Sequence, residues 1–139
     1  TGNIIKMLEY IHGVWVKTIS TDKAPMAIGP YSQAVHHHHF VFTSGQIPLI
    51  PETGVLVSGD FKAEVLQVLK NLDGVLTASG SSLKKAAKLT VFLTDLSKFS
   101  ELNEVFTSYF DEHLPARSAV QVSALPMNVR VEIEAVGTI

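Results

Sequence analysis

Cysteine is absent from this sequence of 139 residues, and that absence removes three kinds of chemistry together. A disulfide scaffold, a thiolate nucleophile and a Cys-based zinc centre are all excluded. An excess of one charge is also missing: 11 Lys and Arg stand against 13 Asp and Glu, for a net charge of -2. That balance gives no broad attraction for a phosphate backbone, so nucleic acid is not an expected partner. No apolar run approaches the roughly 18–20 residues that cross a bilayer. The start, Thr1 to Lys6, has neither a signal-peptide nor a transit-peptide pattern, so the cytoplasm is the expected location, with an organelle as the alternative. Neither a Walker loop nor a Gly-x-Gly-x-x-Gly turn is present, and nucleotide cofactors have no support.

What remains is an ordinary globular composition, 46% hydrophobic and 17% charged. The length suits one domain with a real core, and there is no internal repeat or linker. Val14 to Ile19 alternates as a first strand. The stretch from Asp22 to Pro30, with two prolines and a glycine, is a structured loop. Ser32–Val35 and Phe40–Ser44 read as strands flanking His36–His39, and Val55–Val57 as a short strand. Asp60 is an N-cap candidate for a helix carrying Val65, Val68, Leu69, Leu72, Val75 and Leu76 on one stripe and stopping near Gly80. Lys88–Thr94 is a further strand. A second helix after Asp95 or Ser97 carries Phe99, Leu102, Phe106, Tyr109 and Phe110. Arg117–Ala124 and Val129–Ile139 are the last strands.

This order suits an α/β (α+β) domain with two helices on one face of a mixed sheet. The sheet's second face is also partly apolar, since Val136 interrupts the polar row of the last strand. A face of that kind points to burial in a homo-oligomer.

Several residues have the chemistry of a site. Arg117 opens an apolar strand; it is either a rim charge with its stem packed flat or a planar fork for a carboxylate. Glu132 and Glu134 share one face of the last strand, as a solvated row or as a residue that orients water or moves a proton. Ser44-Gly45 ends a strand, where glycine permits close approach of backbone or ligand. Tyr31 follows Gly29-Pro30 in a rigid turn and could wall a pocket. The His36–His39 run alternates across a strand, so few of its rings converge, and the expected reading is an exposed hairpin tip rather than a metal site. A simple hairpin of the last two strands would set Glu132 opposite Gln121, on the order of 13 Å along the strand from Arg117.

Taken together, the motifs resemble the RidA/YjgF family of reactive-intermediate deaminases. The resemblance rests on Lys17–Thr21, Ala24-Pro25, Ile28-Gly29-Pro30-Tyr31-Ser32-Gln33-Ala34-Val35, and Phe42-Thr43-Ser44-Gly45-Gln46-Ile47-Pro48. It continues through Thr53-Gly54, Gln67–Leu72, Phe99, Asn103–Phe106, Tyr109-Phe110, Pro115–Val120, Leu125-Pro126 and Val131–Ala135. Residues 17–139 form one RidA-like domain on this reading, and residues 1–16 lie outside it. The resemblance implies a chorismate-mutase-like fold and a homotrimer with active sites between subunits. It implies hydrolysis of 2-aminoacrylate and 2-aminocrotonate, in their imine forms, to 2-keto acids and ammonia, with no cofactor or metal. The family's carboxylate-binding arginine falls on Arg117 and its site glutamate on Glu132. Its substrate-binding positions fall on Tyr31, Ser44, Gly45 and Asn103. Ala119 stands where many members have Cys or Thr, a change expected to reshape the pocket. Two alternatives use other chemistry: a 2-keto acid sensor without turnover, and an RNA-directed, endoribonuclease-like translation inhibitor.

Overall fold

The computed structural model describes the backbone of residues 3–11 and 14–139, and side chains from residue 16 onward. Nine elements follow in chain order: β1 (Asn3–Ile11), β2 (Val14–Thr21), β3 (Ala34–His37), β4 (Phe40–Thr43), α1 (Phe61–Ala78), β5 (Ala86–Leu93), α2 (Phe99–Phe110), β6 (Ala116–Gln121) and β7 (Val131–Thr138). The strands form one seven-stranded sheet in the order β1-β2-β3-β4-β7-β5-β6. Only β5 and β6 run parallel, as their connection through α2 requires; the other neighbouring pairs are antiparallel. Residues 3–11, before the span of the family resemblance, extend this sheet, because β1 pairs with β2.

Both helices cover one face. Asp60 caps α1 by accepting a hydrogen bond from the Lys62 amide, and Gly80, at φ +88°, follows its end. The α1 stripe Val65, Val68, Leu69, Leu72, Val75 and Leu76 is fully buried against Leu89, Val91, Leu93, Val131 and Ile133 of the sheet. Burial of each such side chain contributes about 1.5–3 kcal/mol. On α2, Leu102, Phe106 and Phe110 join this core, while Phe99 at the helix start stays exposed. A bidentate ion pair fastens the start of β7 to α1: Arg130 Nε donates to Glu64 Oε1 at 3.1 Å, a second guanidinium nitrogen reaches Oε2, and the guanidinium lies over Phe61.

Four expectations need correction. Val55–Val57 forms no strand, only an isolated bridge from Leu56 to Leu49. Strand β3 begins at Ala34, so His36 and His37 belong to it, and only His38, at φ 52°, and His39 make the turn. Strand β6 ends at Gln121, short of Ala124. Finally, β6 and β7 are not a hairpin: β5 lies between them and pairs with both. The chain between them turns through Pro126–Asn128, where Met127 and Asn128 have positive φ, and β7 enters the sheet's interior.

The sheet face away from the helices is apolar in part. Phe40 and Phe42 on β4 are each 45% exposed with ring centroids 6.3 Å apart, and Val120 on β6 is 44% exposed. Val41, between the two phenylalanines, points into the core.

Candidate active site

Strand register decides where the two charged candidates point. Arg117 pairs with Leu89, and Leu89 with Ala135, a row that faces the helices. Glu132 pairs with Phe92, and Phe92 with Val120, a row on the opposite face. Two strand spacings and three residues of register separate their Cα atoms by roughly 14 Å, and their side chains leave opposite sides of the sheet. The hairpin expectation, which omitted β5, gave a similar distance but set the two residues on one face, four positions apart in register.

The Arg117 end is built on α2. One guanidinium nitrogen donates to Asn103 Oδ1 at 2.9 Å, and the guanidinium carbon lies 5.1 Å from the Phe99 ring centre and 5.0 Å from that of Phe106. Two aromatic faces and an amide oxygen fix the fork and leave its other N–H groups without a partner among the described residues. Partial burial pulls the guanidinium below its ordinary pKa, a shift that leaves it charged. Ala119, two residues along on the same face, packs its methyl against the core.

The Glu132 end is built by loops. Glu132 lines a narrow cavity of about 60 Å³ with Pro25, Met26, Ile28, Tyr31, Gln33, Gly45, Gln46, Ile47, Leu49 and Pro126. Gly45 is there for space: a Cβ on it would collide with Glu132 Oε2. A pair of bonds holds this approach, Gln46 N–H to Ile133 O at 2.8 Å and Ile133 N–H to Gln46 O at 3.1 Å. Burial, and then the neighbouring Glu134 carboxylate, raises the pKa of Glu132 above the ordinary carboxylate value. Ser44 borders the site, but its hydroxyl is committed to the Ser32 carbonyl at 2.6 Å. Tyr31 shares the cavity with Glu132 in the same chain, and its hydroxyl accepts a hydrogen bond from Ile28 N–H at 3.2 Å.

Gln33, which sequence reasoning passed over, anchors this end. Buried beneath the loop, it accepts from Thr21 N–H at 2.7 Å and donates to the carbonyls of Thr21, Ala24 and Pro25. The usable signal was a glutamine beside a proline-rich loop whose carbonyls needed donors. A larger groove of about 840 Å³ runs between α1 and α2, beside the exposed Lys62–Glu104 ion pair, and contains none of the candidate residues. Among the described residues no three His, Asp or Glu side chains converge on a metal position, and no helix is long and apolar enough to cross a membrane.

The structure thus yields two half-sites: a guanidinium fork on one face, and a carboxyl in a cleft on the other. Comparison with known proteins places this arrangement. The family model described as Endoribonuclease L-PSP matches residues 21–139. A Mus musculus protein named 2-iminobutanoate/2-iminopropanoate deaminase is 50% identical over 120 residues, 86% of this chain and 89% of its own. This chain belongs to the RidA/YjgF family. The crystal structure of RidA from Psychrobacter superposes with a TM-score of 0.84 at 51% identity, covering 88% of this chain and 98% of that one. TdcF of E. coli, solved with bound serine, superposes at 0.83 with 45% identity over 88% of this chain and 98% of its own. For a RidA/YjgF chain, Arg117 and Glu132 occupy separate environments that are each preorganised.

Proposed function

We propose that the protein is a homotrimeric deaminase that hydrolyses 2-imino acids, such as those formed from 2-aminoacrylate and 2-aminocrotonate, to 2-keto acids and ammonia. The observation that carries this reading is the Glu132 carboxyl, seated on Gly45 and facing a cavity with no hydrogen-bond partner among the described residues. A half-buried carboxyl of raised pKa in a cleft suits proton transfer to and from water. The deaminase names of close relatives support the reaction class, and the serine in TdcF supports a small amino-acid-like ligand.

In this reading Arg117 of one subunit binds the carboxylate, and Glu132, Tyr31 and Gly45 of the next receive the reacting carbon. The opposite orientation of the two residues within one chain is what favours a site shared between subunits, and the exposed Phe40, Phe42 and Val120 offer the apolar surface for assembly. The imine reacts protonated on nitrogen: Glu132 takes a proton as water adds to the iminium carbon and the C–O bond forms, giving a neutral carbinolamine. Glu132 then gives that proton to the amine nitrogen. The C–N bond breaks with its electron pair leaving on ammonia, and the carbinol O–H proton passes to the carboxylate as the C=O bond forms. The chemistry needs positioning and one polarised water, with no cofactor. Asn103 holds the arginine, Ser44 ties the Tyr31 loop to its strand, and Ala119 shapes the floor beneath Arg117. The protein works in the cytoplasm or an organelle.

The family description favours a second, RNA-directed reading. One experiment separates them: a dehydratase generates the enamine while 2-keto acid appearance is timed with and without the protein, and labelled RNA is incubated in parallel. Accelerated keto-acid release that depends on Arg117 supports the deaminase. RNA cleavage that persists in Arg117→Ala, without imine hydrolysis, overturns it. Thermal stabilisation by 2-ketobutyrate without product formation identifies a sensor instead.

A further inference from the structure

The loop before β3 presents two large apolar side chains to solvent, Met26 at 81% and Ile28 at 68% exposure. Single exposed apolar residues are ordinary on a protein surface. These two stand one residue apart, line the Glu132 cavity and belong to a loop that is held on several sides. Gln33 binds the Ala24 and Pro25 carbonyls, the Ile28 amide is tied to the Tyr31 hydroxyl, and the Lys23 carbonyl packs so closely on Gly74 of α1 that a Cβ there would collide with it. A rigid frame that aims exposed methyl and thioether groups into a cleft is suited to gripping an apolar group.

Charge fixes which end of an imino acid lies there. Among the described residues the cavity wall contains no Lys or Arg, and the one charged residue there is Glu132, so a carboxylate is repelled from it. The substrate carboxylate must therefore face away, toward a guanidinium, and its side chain faces Met26, Ile28, Ile47 and Leu49. Room on that side is limited to about 60 Å³. A second hollow of about 230 Å³, lined by Thr18, Ser20, Ala27 and Ser32, lies behind, and Met26, Tyr31 and Gln33 border both. Tyr31 and Gln33 are fixed by hydrogen bonds; the unbranched Met26 side chain is the movable part of the partition.

We propose that Met26 and Ile28 form the side-chain subsite of the imino-acid site, with Met26 as the partition that restricts it to short apolar substrates. This inference rests on the deaminase reading and assigns the specificity of that same site.

The test generates imines in place from L-alanine and L-leucine with an L-amino-acid oxidase, and times keto-acid release above the spontaneous rate. The measured quantity is the ratio of kcat/KM for the leucine-derived to the alanine-derived imine. Met26→Ala joins the two hollows and raises that ratio about tenfold, the low end of what extra methylene groups are worth in a pocket, because Thr18, Ser20 and Ser32 line part of the added space. Met26→Phe fills the cavity mouth and lowers the ratio. Because the Met26 side chain is solvent-exposed, melting temperatures stay at the wild-type value and confirm that both variants are folded. A ratio unchanged in both active variants overturns the subsite and leaves the deaminase reading standing. A wild-type protein that accelerates neither imine overturns the deaminase reading, and the subsite falls with it.

Discussion

Arg117 is held by regular secondary structure, whereas Glu132 is enclosed by irregular chain. The arginine rises from an edge strand onto Phe99, Asn103 and Phe106, all on one helix. The glutamate leaves a central strand toward Tyr31, Gly45, Gln46 and Pro126, which come from three separate loops or turns. The cation half is rigid because helix and strand are already packed through the common core. The acid half is rigid because polar bonds were added for that purpose, with Gln33 as the chief anchor. Charged groups on opposite faces of one sheet cannot enclose a small molecule within a single chain, so the contrast between them is also an argument for assembly.

Complementation tests that contrast most severely. Arg117→Ala and Glu132→Ala should each be nearly inactive; for the arginine alone, loss of a charge-assisted contact lowers kcat/KM about 10- to 150-fold. Unfolding and refolding the two variants together in equal amounts should restore about a quarter of wild-type activity, the share of intact sites in randomly mixed trimers. Activity of the mixture no higher than that of the separate variants would place both residues of each site in one chain.

An effect of comparable size is expected at Gly45, by displacement of a group rather than its removal. Gly45→Ala puts a methyl against the Glu132 carboxyl and displaces it, and a shift near 1 Å lowers kcat by about a hundredfold. The variant should still assemble, since the displaced group borders an open cleft. Wild-type kcat in an assembled Gly45→Ala protein would remove Glu132 from the chemistry.

The smallest effect concerns pH. Burial and Glu134 both raise the pKa of Glu132, so the acidic limb of the kcat/KM profile should lie above the ordinary carboxylate range. Removing the neighbouring negative charge favours the ionised form of Glu132. Glu134→Gln should therefore move the limb to lower pH, with little change on the plateau. A limb that stays in place, or moves upward, contradicts the assignment of Glu132 as the base.

Legibility in the sequence followed the range of the interactions. Helix α1 was plain because its cap, its stripe and its glycine stop are all local, from Asp60 to Gly80. The relation of β6 to β7 was not, because adjacency in sequence favours a hairpin while the parallel β5–β6 pairing excludes one. Gly45 was recognisable as a point of close approach, but the approaching group lies 87 positions away in sequence, by subtraction of 45 from 132. The family motifs identified Arg117 and Glu132 individually. Their placement on opposite faces depends on register, which no short motif encodes.

The contact between Gly45 and Glu132 also couples the histories of two positions. A side chain at 45 takes space that the carboxyl at 132 now fills, so it is accommodated only where that carboxyl moves aside, is shortened or is lost. The reverse order is open: position 132 can change while the glycine remains. A chain with a bulky residue at 45 will therefore have moved this carboxyl from its present place or given it up.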